Sequence, residues 1–257
     1  MATWDSGQYL KFKNERTRPS IDLTRRIEHP GPKKVLDVGC GPGNSTEVLA
    51  RAFPGASILG VDSSAEMIAS ATAAHPELAF RLCDASRDLA SLGADFDVVF
   101  SNACIQWVPD HPALLRSLMA RLAPGGVLAV QIPLTERAPI HRIIRELTTG
   151  PKWGPELSGL RLFHTLPTGD YYDILAAMSD ELSLWDTTYH HVLDSHAAIL
   201  QWYRGTGLRP YLAALDEARA REFEQDVHAR VAQEYPLQAD GKVIFHFPRF
   251  FFTARAR

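Results

Sequence analysis

A glycine-rich loop, Gly39-Cys40-Gly41-Pro42-Gly43, directly follows a short apolar segment that ends at Val38. Glycines let backbone amides approach a ligand closely, and a loop between a strand and a helix is where open α/β sheets place their binding crevices. In the dinucleotide pattern G-x-G-x-x-G the third glycine would stand at position 44, but here that position is Asn44 and the third glycine is Gly43. The loop therefore predicts a cofactor site and disfavours a nicotinamide dinucleotide.

Two aspartates follow the next two apolar segments. Asp62 ends the segment SILGVD, and Asp84 comes just after Leu82 and Cys83. A carboxylate at the position of Asp62 can accept hydrogen bonds from both ribose hydroxyls of an adenosine ligand, and Asp84 can accept one from the exocyclic amine of adenine. The ribose role suits NAD and S-adenosylmethionine equally. The alternative is that both aspartates are solvated helix caps, because Asp is frequent just before helices.

These residues lie in a regular alternation of strands and helices that starts at Lys34. Asn44 or Ser45 is expected to cap the helix after the glycine loop, and Ser63 or Ser64 the helix after Asp62. A third helix is expected over 112–122, closed by Pro124-Gly125-Gly126. Short apolar runs predict five strands, over residues 35–38, 57–62, 78–82, 97–100 and 127–132. Five strands joined by helical crossovers indicate a doubly wound, mostly parallel α/β sheet.

The second half of the chain is less regular. Residues 134–168 are rich in Pro, Gly and Trp and predict an insertion, and a helix follows over 171–179. The β-prone runs 182–193 and 242–254, with a helical segment over 195–235 between them, predict an antiparallel strand pair at the sheet edge whose connection forms a helical lid. We expect a single domain over 1–257, comprising an N-terminal helical flap (1–30), a cofactor-binding core (31–133), an irregular or helical insertion (134–180) and the lid (195–240).

Composition excludes several partner classes. Lys plus Arg number 27 against 30 Asp plus Glu, a net charge of −3, so we expect no binding to nucleic acid or anionic membranes. The three cysteines are widely spaced, and no His or acid cluster has metal-ligand spacing, which argues against disulfides and against a metal site. The N-terminal residues have no export pattern and no apolar run reaches membrane-spanning length, so a cytoplasmic location is expected. A monomer is favoured.

Four segments together resemble the successive motifs of class I S-adenosylmethionine-dependent methyltransferases: VLDVGCGPGNST, ILGVDSS, LCDAS and LAPGGVLAV. They cover about the first half of the chain. The resemblance implies a Rossmann-like sheet of seven strands with an antiparallel last strand, and S-adenosylmethionine as cofactor with S-adenosylhomocysteine as product.

The same resemblance implies a set of cofactor-binding residues. They are Asp37, Gly39, Cys40, Gly41 and Gly43 around the methionine part, Asp62 and Ser63 on the ribose, Asp84 and Ala85 around the adenine, Asn102 beside the sulfonium, and also Asn44 and Met67.

A further resemblance extends along nearly the whole chain. The segments WDSGQYLKFKNERTRP, NACIQWVPDH, TTYHHVLDSHAAILQW, TGLRPYL, EYPLQADG and FPRFFF are similar to those of the trans-aconitate 2-methyltransferase family. This implies methyl transfer to a carboxylate of trans-aconitate or a closely related small polycarboxylate, giving a monomethyl ester. A carboxylate is already ionised at neutral pH, so no general base and no catalytic residue of that kind is expected. Rate would come from alignment and from the exclusion of water.

A small anionic polycarboxylate needs its other carboxylates held, and guanidinium groups suit this better than ammonium groups. We favour Arg209 and Arg16, whereas any single arginine is by default a solvated surface charge. Tyr189 and His190 belong to a polar cluster that could hydrogen-bond a carboxylate or form a plain cross-strand pair. The predicted substrate-binding residues are Arg16, Trp107, Tyr189, His190, Arg209 and Arg249, with Arg18 a weaker candidate and Trp4, Tyr9 and Phe12 a possible flap.

Three alternatives stay open at this point. The acceptor could be another small acid or a hydroxyl, because the sheet motifs are shared widely. A nicotinamide-dependent oxidoreductase would share the strand, the glycine loop and Asp62. A non-catalytic binding module is the third.

Overall fold

The structure, a computed structural model, describes residues 13–160 and 163–257, without the side chains of residues 13–16 and 136. Trp4, Tyr9 and Phe12, and with them most of the predicted flap, lie outside these residues. The helices are α1 (Lys13–Thr24), α2 (Asn44–Ala52), α3 (Ala65–Ala74), α4 (His111–Met119), α5 (Pro139–Thr149), α6 (Gly154–Leu157), α7 (Thr168–Ala176), α8 (His196–Arg204), α9 (Arg209–Ala213) and α10 (Glu217–Glu234). The strands are β1 (Lys34–Val38), β2 (Ser57–Asp62), β3 (Ala79–Leu82), β4 (Phe96–Asn102), β5 (Leu122–Pro133), β6 (Leu182–Leu193) and β7 (Val243–Arg255).

The seven strands form one sheet in the order β3-β2-β1-β4-β5-β7-β6. Strands β1 to β5 pair in parallel, and the last strand runs antiparallel. The strand order reverses at β1, because β2 and β3 lie on one side of it and β4 and β5 lie on the other. A doubly wound sheet binds its ligands at such a reversal, beyond the carboxyl ends of the strands. The predicted α/β fold class and antiparallel last strand are confirmed.

The described chain divides into two compact units. The sheet unit comprises residues 13–132, 163–186 and 250–257, and the insertion unit comprises residues 133–160 and 187–249. In the sheet unit, the central strands bury continuous apolar runs such as Val98-Val99-Phe100, as a parallel sheet covered on both faces requires. In the insertion unit, helices α5 and α8 pack on α10 around buried aromatic side chains, among them Trp202, Tyr203 and Phe245.

Two local predictions were wrong. Helix α4 ends at Met119, and β5 begins at Leu122 rather than at position 127, because Leu122 pairs with Phe96 ahead of an irregular step in the ladder. Helix α2 begins at Asn44 with Gly43 as its N-cap, in a left-handed conformation and without a side-chain cap. Ser64, by contrast, caps α3 by accepting a hydrogen bond from the Met67 amide at 3.3 Å, as predicted.

The predicted helical segment over 195–235 is divided into α8, α9 and α10, and the insertion contains α5 and α6. That helices α8 to α10 act as a lid stays a prediction. None of the helices within 13–160 and 163–257 has the length and apolar character needed to cross a membrane.

Candidate functional site

The glycine loop after β1 has three glycines with positive φ: Gly39 at 78°, Gly41 at 54° and Gly43 at 93°. Two of them are closed in by neighbours, because a Cβ at Gly39 would lie 2.2 Å from the Cys104 Sγ and one at Gly43 would lie 2.7 Å from the His75 ring. A Cβ at Gly41 would meet no atom of the described residues within 4 Å. The loop thus has a tightly packed base and one glycine that borders open space, which suits close approach by a ligand.

Asp62, the last residue of β2, holds this loop in place. Its Oδ2 accepts a hydrogen bond from the Gly41 amide at 3.0 Å, and its Oδ1 accepts one from the Ser64 amide at 2.9 Å. Burial raises the pKa of this carboxyl, and the hydrogen bonds from the Ser64, Gly41 and Ser63 amides oppose that rise. An ionised carboxylate has about four acceptor positions, so at least one remains for a ligand hydroxyl.

Asp37 is fully buried one residue before the end of β1. Its Oδ2 accepts hydrogen bonds from the hydroxyls of Ser45 (2.6 Å) and Thr46 (2.7 Å), whereas Oδ1 has no hydrogen-bond partner among the described residues. Burial raises the pKa of Asp37 to about 6; the two hydroxyls oppose this rise, and the charge of Asp62 adds to it. A buried acceptor atom of this kind fits a cationic or hydrogen-bonding group of a ligand, such as the ammonium of a methionine.

We expect the affinity for S-adenosylhomocysteine to rise as the pH increases through about 6. A bound ammonium favours the ionised form of Asp37, so ligand binding lowers the pKa of this carboxyl and is stronger above that pKa than below it. Calorimetric titrations between pH 5 and pH 8 measure this. In Asp37→Asn, the affinity should no longer rise with pH. If it still rises in this variant, another titrating group is responsible for the pH dependence.

The same substitution should change stability in a defined direction. The pKa of Asp37 is higher in the folded protein than its ordinary value of 3.8, so this group favours folding at low pH and loses that contribution as the pH rises through about 6. Asp37→Asn is therefore expected to be more stable than the wild type at pH 7, with little difference below pH 4. Urea unfolding at both pH values measures this, and lower stability of Asp37→Asn at pH 7 would contradict it.

Asp84 stands at the end of β3, as predicted, but its carboxylate is engaged within its own turn. Its Oδ1 accepts hydrogen bonds from the Ser86 amide and hydroxyl, and its Oδ2 accepts one from Arg87 Nε at 2.9 Å. These bonds, that from the Ser86 hydroxyl foremost, lower the pKa of Asp84. Ala85 beside it is half-buried. That Asp84 and Ala85 contact adenine stays a prediction.

The other predicted cofactor residues border the same edge of the sheet. Asn44 is the buried first residue of α2, and Asn102 ends β4. In the part of the chain that the structure describes, neither the Asn44 Nδ2 nor the Asn102 Oδ1 has a hydrogen-bond partner. Met67 is buried in the first turn of α3. Burial raises the pKa of Cys40 and of Cys104, so both are neutral thiols and unsuited to nucleophilic catalysis.

Strand order brings the main groups into one row. Asp62 ends β2, the glycine loop follows β1, and Asn102 ends β4, and these three strands are neighbours in the sheet. The row therefore runs across the point where strand order reverses. It combines carboxylates, the backbone of the glycine loop and side-chain amides. This arrangement can hold an elongated polar ligand such as an adenosyl amino acid.

Among the predicted substrate residues, Trp107 lies in a short 3-10 helix after β4, in the sheet unit. Its ring packs on that of Phe163, with centroids 4.8 Å apart, and the His164 amide donates to the Gln106 carbonyl nearby at 2.9 Å. Trp107 is half-buried, so part of its surface is available to a ligand.

The insertion unit contains a cationic cluster, here called the Arg249 cluster, formed by Arg249, His141, His191, Tyr203 and Phe247. Arg249 is only 5% exposed, and its guanidinium carbon lies 3.9 Å from the centre of the Phe247 ring. The Tyr203 hydroxyl lies 3.1 Å from His141 Nε2. Burial and then the charge of Arg249 lower the pKa of His141 to about 3 and that of His191 to about 4. Both histidines are therefore neutral at pH 7, and the charge of the cluster resides on Arg249.

Sequence reasoning missed His141 and Tyr203, because they lie on α5 and α8, about 100 residues and 50 residues from Arg249. Tyr189 and His191 share one face of β6, with rings stacked at 6.2 Å. His190 lies on the other, exposed face beside His246, so it is His191, and not the predicted His190, that belongs to the Arg249 cluster.

The remaining arginines lie elsewhere. Arg209 begins α9 and is half-buried, and this burial lowers the pKa of its guanidinium. Arg18 is exposed on α1, 3.4 Å from Asp22. The side chain of Arg16 lies outside the described residues. No group of three or more His, Cys, Asp or Glu side chains in the described ranges could hold a metal ion.

Comparisons with known proteins identify the family. A protein from Azoarcus sp. strain BH72, named trans-aconitate 2-methyltransferase, is 46% identical over 255 residues, covering 99% of both chains. A protein of the same name from Variovorax paradoxus strain S110 is 40% identical over the full length of both chains. This chain belongs to the trans-aconitate 2-methyltransferase family. Membership decides against the oxidoreductase alternative, which the spacing of the glycine loop already disfavoured.

Broader comparisons agree on domain and fold. A family model described as a methyltransferase domain matches residues 35–126, which include β1 to β4 and the glycine loop. The YcgJ protein of Bacillus subtilis has a similar fold, with a TM-score of 0.60 at 16% identity over 93% of this chain and 99% of that one. Phosphoethanolamine N-methyltransferase 2 of Haemonchus contortus, solved with S-adenosylhomocysteine, gives a TM-score of 0.58 at 18% identity, covering 93% of this chain and 53% of that chain.

Proposed function

We propose that this protein transfers a methyl group from S-adenosylmethionine to a carboxylate of trans-aconitate or a closely related small polycarboxylate. The products are a monomethyl ester and S-adenosylhomocysteine. The observation that carries the proposal is the anchored Asp62 beside the open Gly41, within a chain 40–46% identical over its full length to proteins named for this reaction.

Asp62 is proposed to accept hydrogen bonds from the ribose hydroxyls. It is suited to this because the amides of Gly41 and Ser64 fix both of its oxygens before any ligand arrives, so little ordering is needed on binding. The unpartnered Oδ1 of Asp37 is proposed to hold the ammonium, directly or through a water. S-Adenosylmethionine, when bound, supplies an activated methyl group on a sulfonium.

No side chain of the chain is assigned as a general base. The acceptor carboxylate is ionised at neutral pH and carries its own nucleophilic lone pair. Because an anion and a cation neutralise each other during transfer, a dry and aligned site accelerates the reaction more than any proton transfer would.

The Arg249 cluster is proposed to bind a carboxylate of the acceptor. Arg249 places a positive charge in this cluster, and its low exposure strengthens an ion pair with an anion there. Arg209 and Trp107 stay proposed as acceptor contacts, on the family resemblance alone.

We expect Arg249→Met to lower kcat/KM for trans-aconitate about 10-fold or more, with little effect on the affinity for S-adenosylhomocysteine. Loss of a charge-assisted hydrogen bond to an anion costs about 1.5–3 kcal/mol. Without the neighbouring cation, the pKa of His141 and of His191 should also rise, which histidine NMR titration measures. Arg221→Met, at an exposed arginine on α10 of the same unit, is the matched control. Equal losses of acceptor and cofactor affinity would contradict a role for Arg249 in binding the acceptor.

The proposed reaction is tested by product analysis. The purified protein is incubated with methyl-labelled S-adenosylmethionine and, separately, with trans-aconitate, cis-aconitate or isocitrate. We expect label in a product that mild base hydrolyses, as a methyl ester does, and most label with trans-aconitate. Label that survives base would indicate a methyl ether and a hydroxyl acceptor, and tight cofactor binding without transfer to any of these acids would favour a binding module.

A further inference from the structure

Two amide side chains at neighbouring strand ends have buried polar atoms without hydrogen-bond partners. Gln131 on β5 is fully buried, and within the described residues neither its Oε1 nor its Nε2 has a partner. Asn102 on β4 is half-buried, and its Oδ1 is likewise without a partner. A buried amide that bonds to nothing costs folding free energy, so retaining one in the fold calls for an explanation, and a ligand is one such explanation.

The two amides lie side by side. In the parallel ladder of β4 and β5, Phe100 is paired with Ala129 and Asn102 with Gln131. Phe100 is also paired with Asp37 on β1. Because side chains alternate between the two faces of a sheet, Asp37, Asn102 and Gln131 lie on the same face. Gln131 therefore shares the face of the carboxylate proposed to hold the cofactor's ammonium.

Position along the sheet edge separates Gln131 from the proposed cofactor contacts. The polar groups follow the strand order, with Asp62 at β2, the glycine loop at β1, Asn102 at β4 and Gln131 at β5. Neighbouring strands are about 4.8 Å apart, so β5 lies roughly 14 Å from β2. With the ribose at Asp62 and the sulfonium beside Asn102, as the family resemblance implies, Gln131 lies one strand beyond the sulfonium. An acceptor on that side of the methyl group would lie next to Gln131.

We propose that Gln131, together with Asn102, positions the reacting carboxylate of the acceptor; this rests on the proposed function. The Gln131 Nε2 donates a hydrogen bond to the carboxylate oxygen that does not attack. The attacking oxygen uses a lone pair to form the new carbon–oxygen bond while the carbon–sulfur bond breaks, and the electron pair of that bond stays on sulfur. No proton moves.

A neutral donor suits this place better than a cation. An arginine or lysine in direct contact would withdraw charge from the carboxylate and make its oxygen a weaker nucleophile. An amide orients the carboxylate through one hydrogen bond and leaves its negative charge available to attack the sulfonium. Gln131 is thus a positioning residue for carboxylates and a determinant of specificity against acceptors that lack an oxygen beside the reacting one.

The test uses Gln131→Met, which keeps the length of the side chain and removes its polar atoms. We expect its Tm to equal or exceed that of the wild type, because an unpartnered amide is lost. The dissociation constant of S-adenosylhomocysteine should change less than twofold, while kcat/KM for trans-aconitate should fall 10- to 100-fold. Gln131→Glu places a charge opposite the carboxylate, so its loss of kcat/KM should be larger than that of Gln131→Met.

The comparison variant is Gln106→Met, because the Gln106 Nε2 does donate, to the Ala103 carbonyl at 2.7 Å. Its Tm should fall where that of Gln131→Met does not. A Gln131→Met protein with lowered Tm and unchanged acceptor kinetics would overturn the inference, since the amide would then have a structural partner. A wild-type protein that binds S-adenosylhomocysteine but methylates no polycarboxylate would contradict the proposed function instead.

Discussion

Asp62→Ala is expected to weaken binding of S-adenosylhomocysteine by about 1.5–3 kcal/mol, or roughly 10- to 150-fold in Kd. The substitution removes the carboxylate proposed to accept from the ribose, and it also releases the Gly41 amide, which that carboxylate holds at 3.0 Å. Isothermal titration calorimetry measures the change. Unchanged affinity would remove Asp62 from the ribose site.

Asp97→Ala is a matched control for this prediction. Asp97 also uses its carboxylate to fix backbone amides, those of Lys33 and Lys34, but it does so at the start of β4, the end of the strands opposite to the glycine loop. Both variants lose a carboxylate that accepts from two amides. Only Asp62→Ala should lose cofactor affinity, whereas a similar loss in both would indicate that loosening of the sheet, and not contact with the ligand, causes the effect.

Gly41→Ala is expected to weaken cofactor binding by about 1–3 kcal/mol, because its new methyl group would occupy space that the ligand needs. Among the described residues that methyl group meets nothing within 4 Å, so the disturbance of the folded state there comes from the positive φ of 54°. That strain costs about 1–2 kcal/mol. Urea unfolding and calorimetry together separate the effect on stability from the effect on affinity.

Gly55→Ala is the control, because it introduces the same backbone strain at a position away from the proposed ligand site. Gly55 has a φ of 87°, an added Cβ would again meet nothing within 4 Å, and it lies in the turn between α2 and β2, away from the glycine loop. The two variants should lose similar stability, but only Gly41→Ala should lose affinity for S-adenosylhomocysteine. If the two variants bind S-adenosylhomocysteine with equal affinity, the open space beside Gly41 is not part of the cofactor site.

The parts of the fold that the sequence predicted well are those fixed by local patterns. Buried parallel strands appear as short apolar runs, so β2 was predicted over its full length, and the residue that ends it, Asp62, was placed at the ligand edge of the sheet. The capping role of Ser64 was likewise predicted from a residue type at a helix start. Such features depend on residues close in sequence.

Features that depend on distant partners could not be predicted in this way. The early start of β5 at Leu122 requires its pairing with Phe96, which overrides the turn tendency of Pro124 and the glycines after it. The neutral state of His141 depends on burial and on Arg249, more than 100 residues away. A pattern along the chain carries no signal for either, because both arise only when the chain has folded.

The arginines illustrate the same limit at the site. Of the four candidate arginines, Arg209 and Arg16 were favoured, and Arg249 was also predicted as a substrate-binding residue. In the folded protein the apolar run around Arg249 buries its guanidinium against Phe247. The apolar residues around Arg249 thus desolvate its charge, which suits it to bind an anion.

A crystal structure of the wild-type protein with S-adenosylhomocysteine tests the central claim most directly. We predict the ligand along the edge formed by the ends of β2, β1 and β4, with its ribose hydroxyls about 3 Å from the Asp62 carboxylate, its backbone contacts at Gly41, and its sulfur on the side of Asn102. A ligand bound elsewhere, or one whose ribose makes no contact with Asp62, would contradict both the cofactor site and the proposed mechanism.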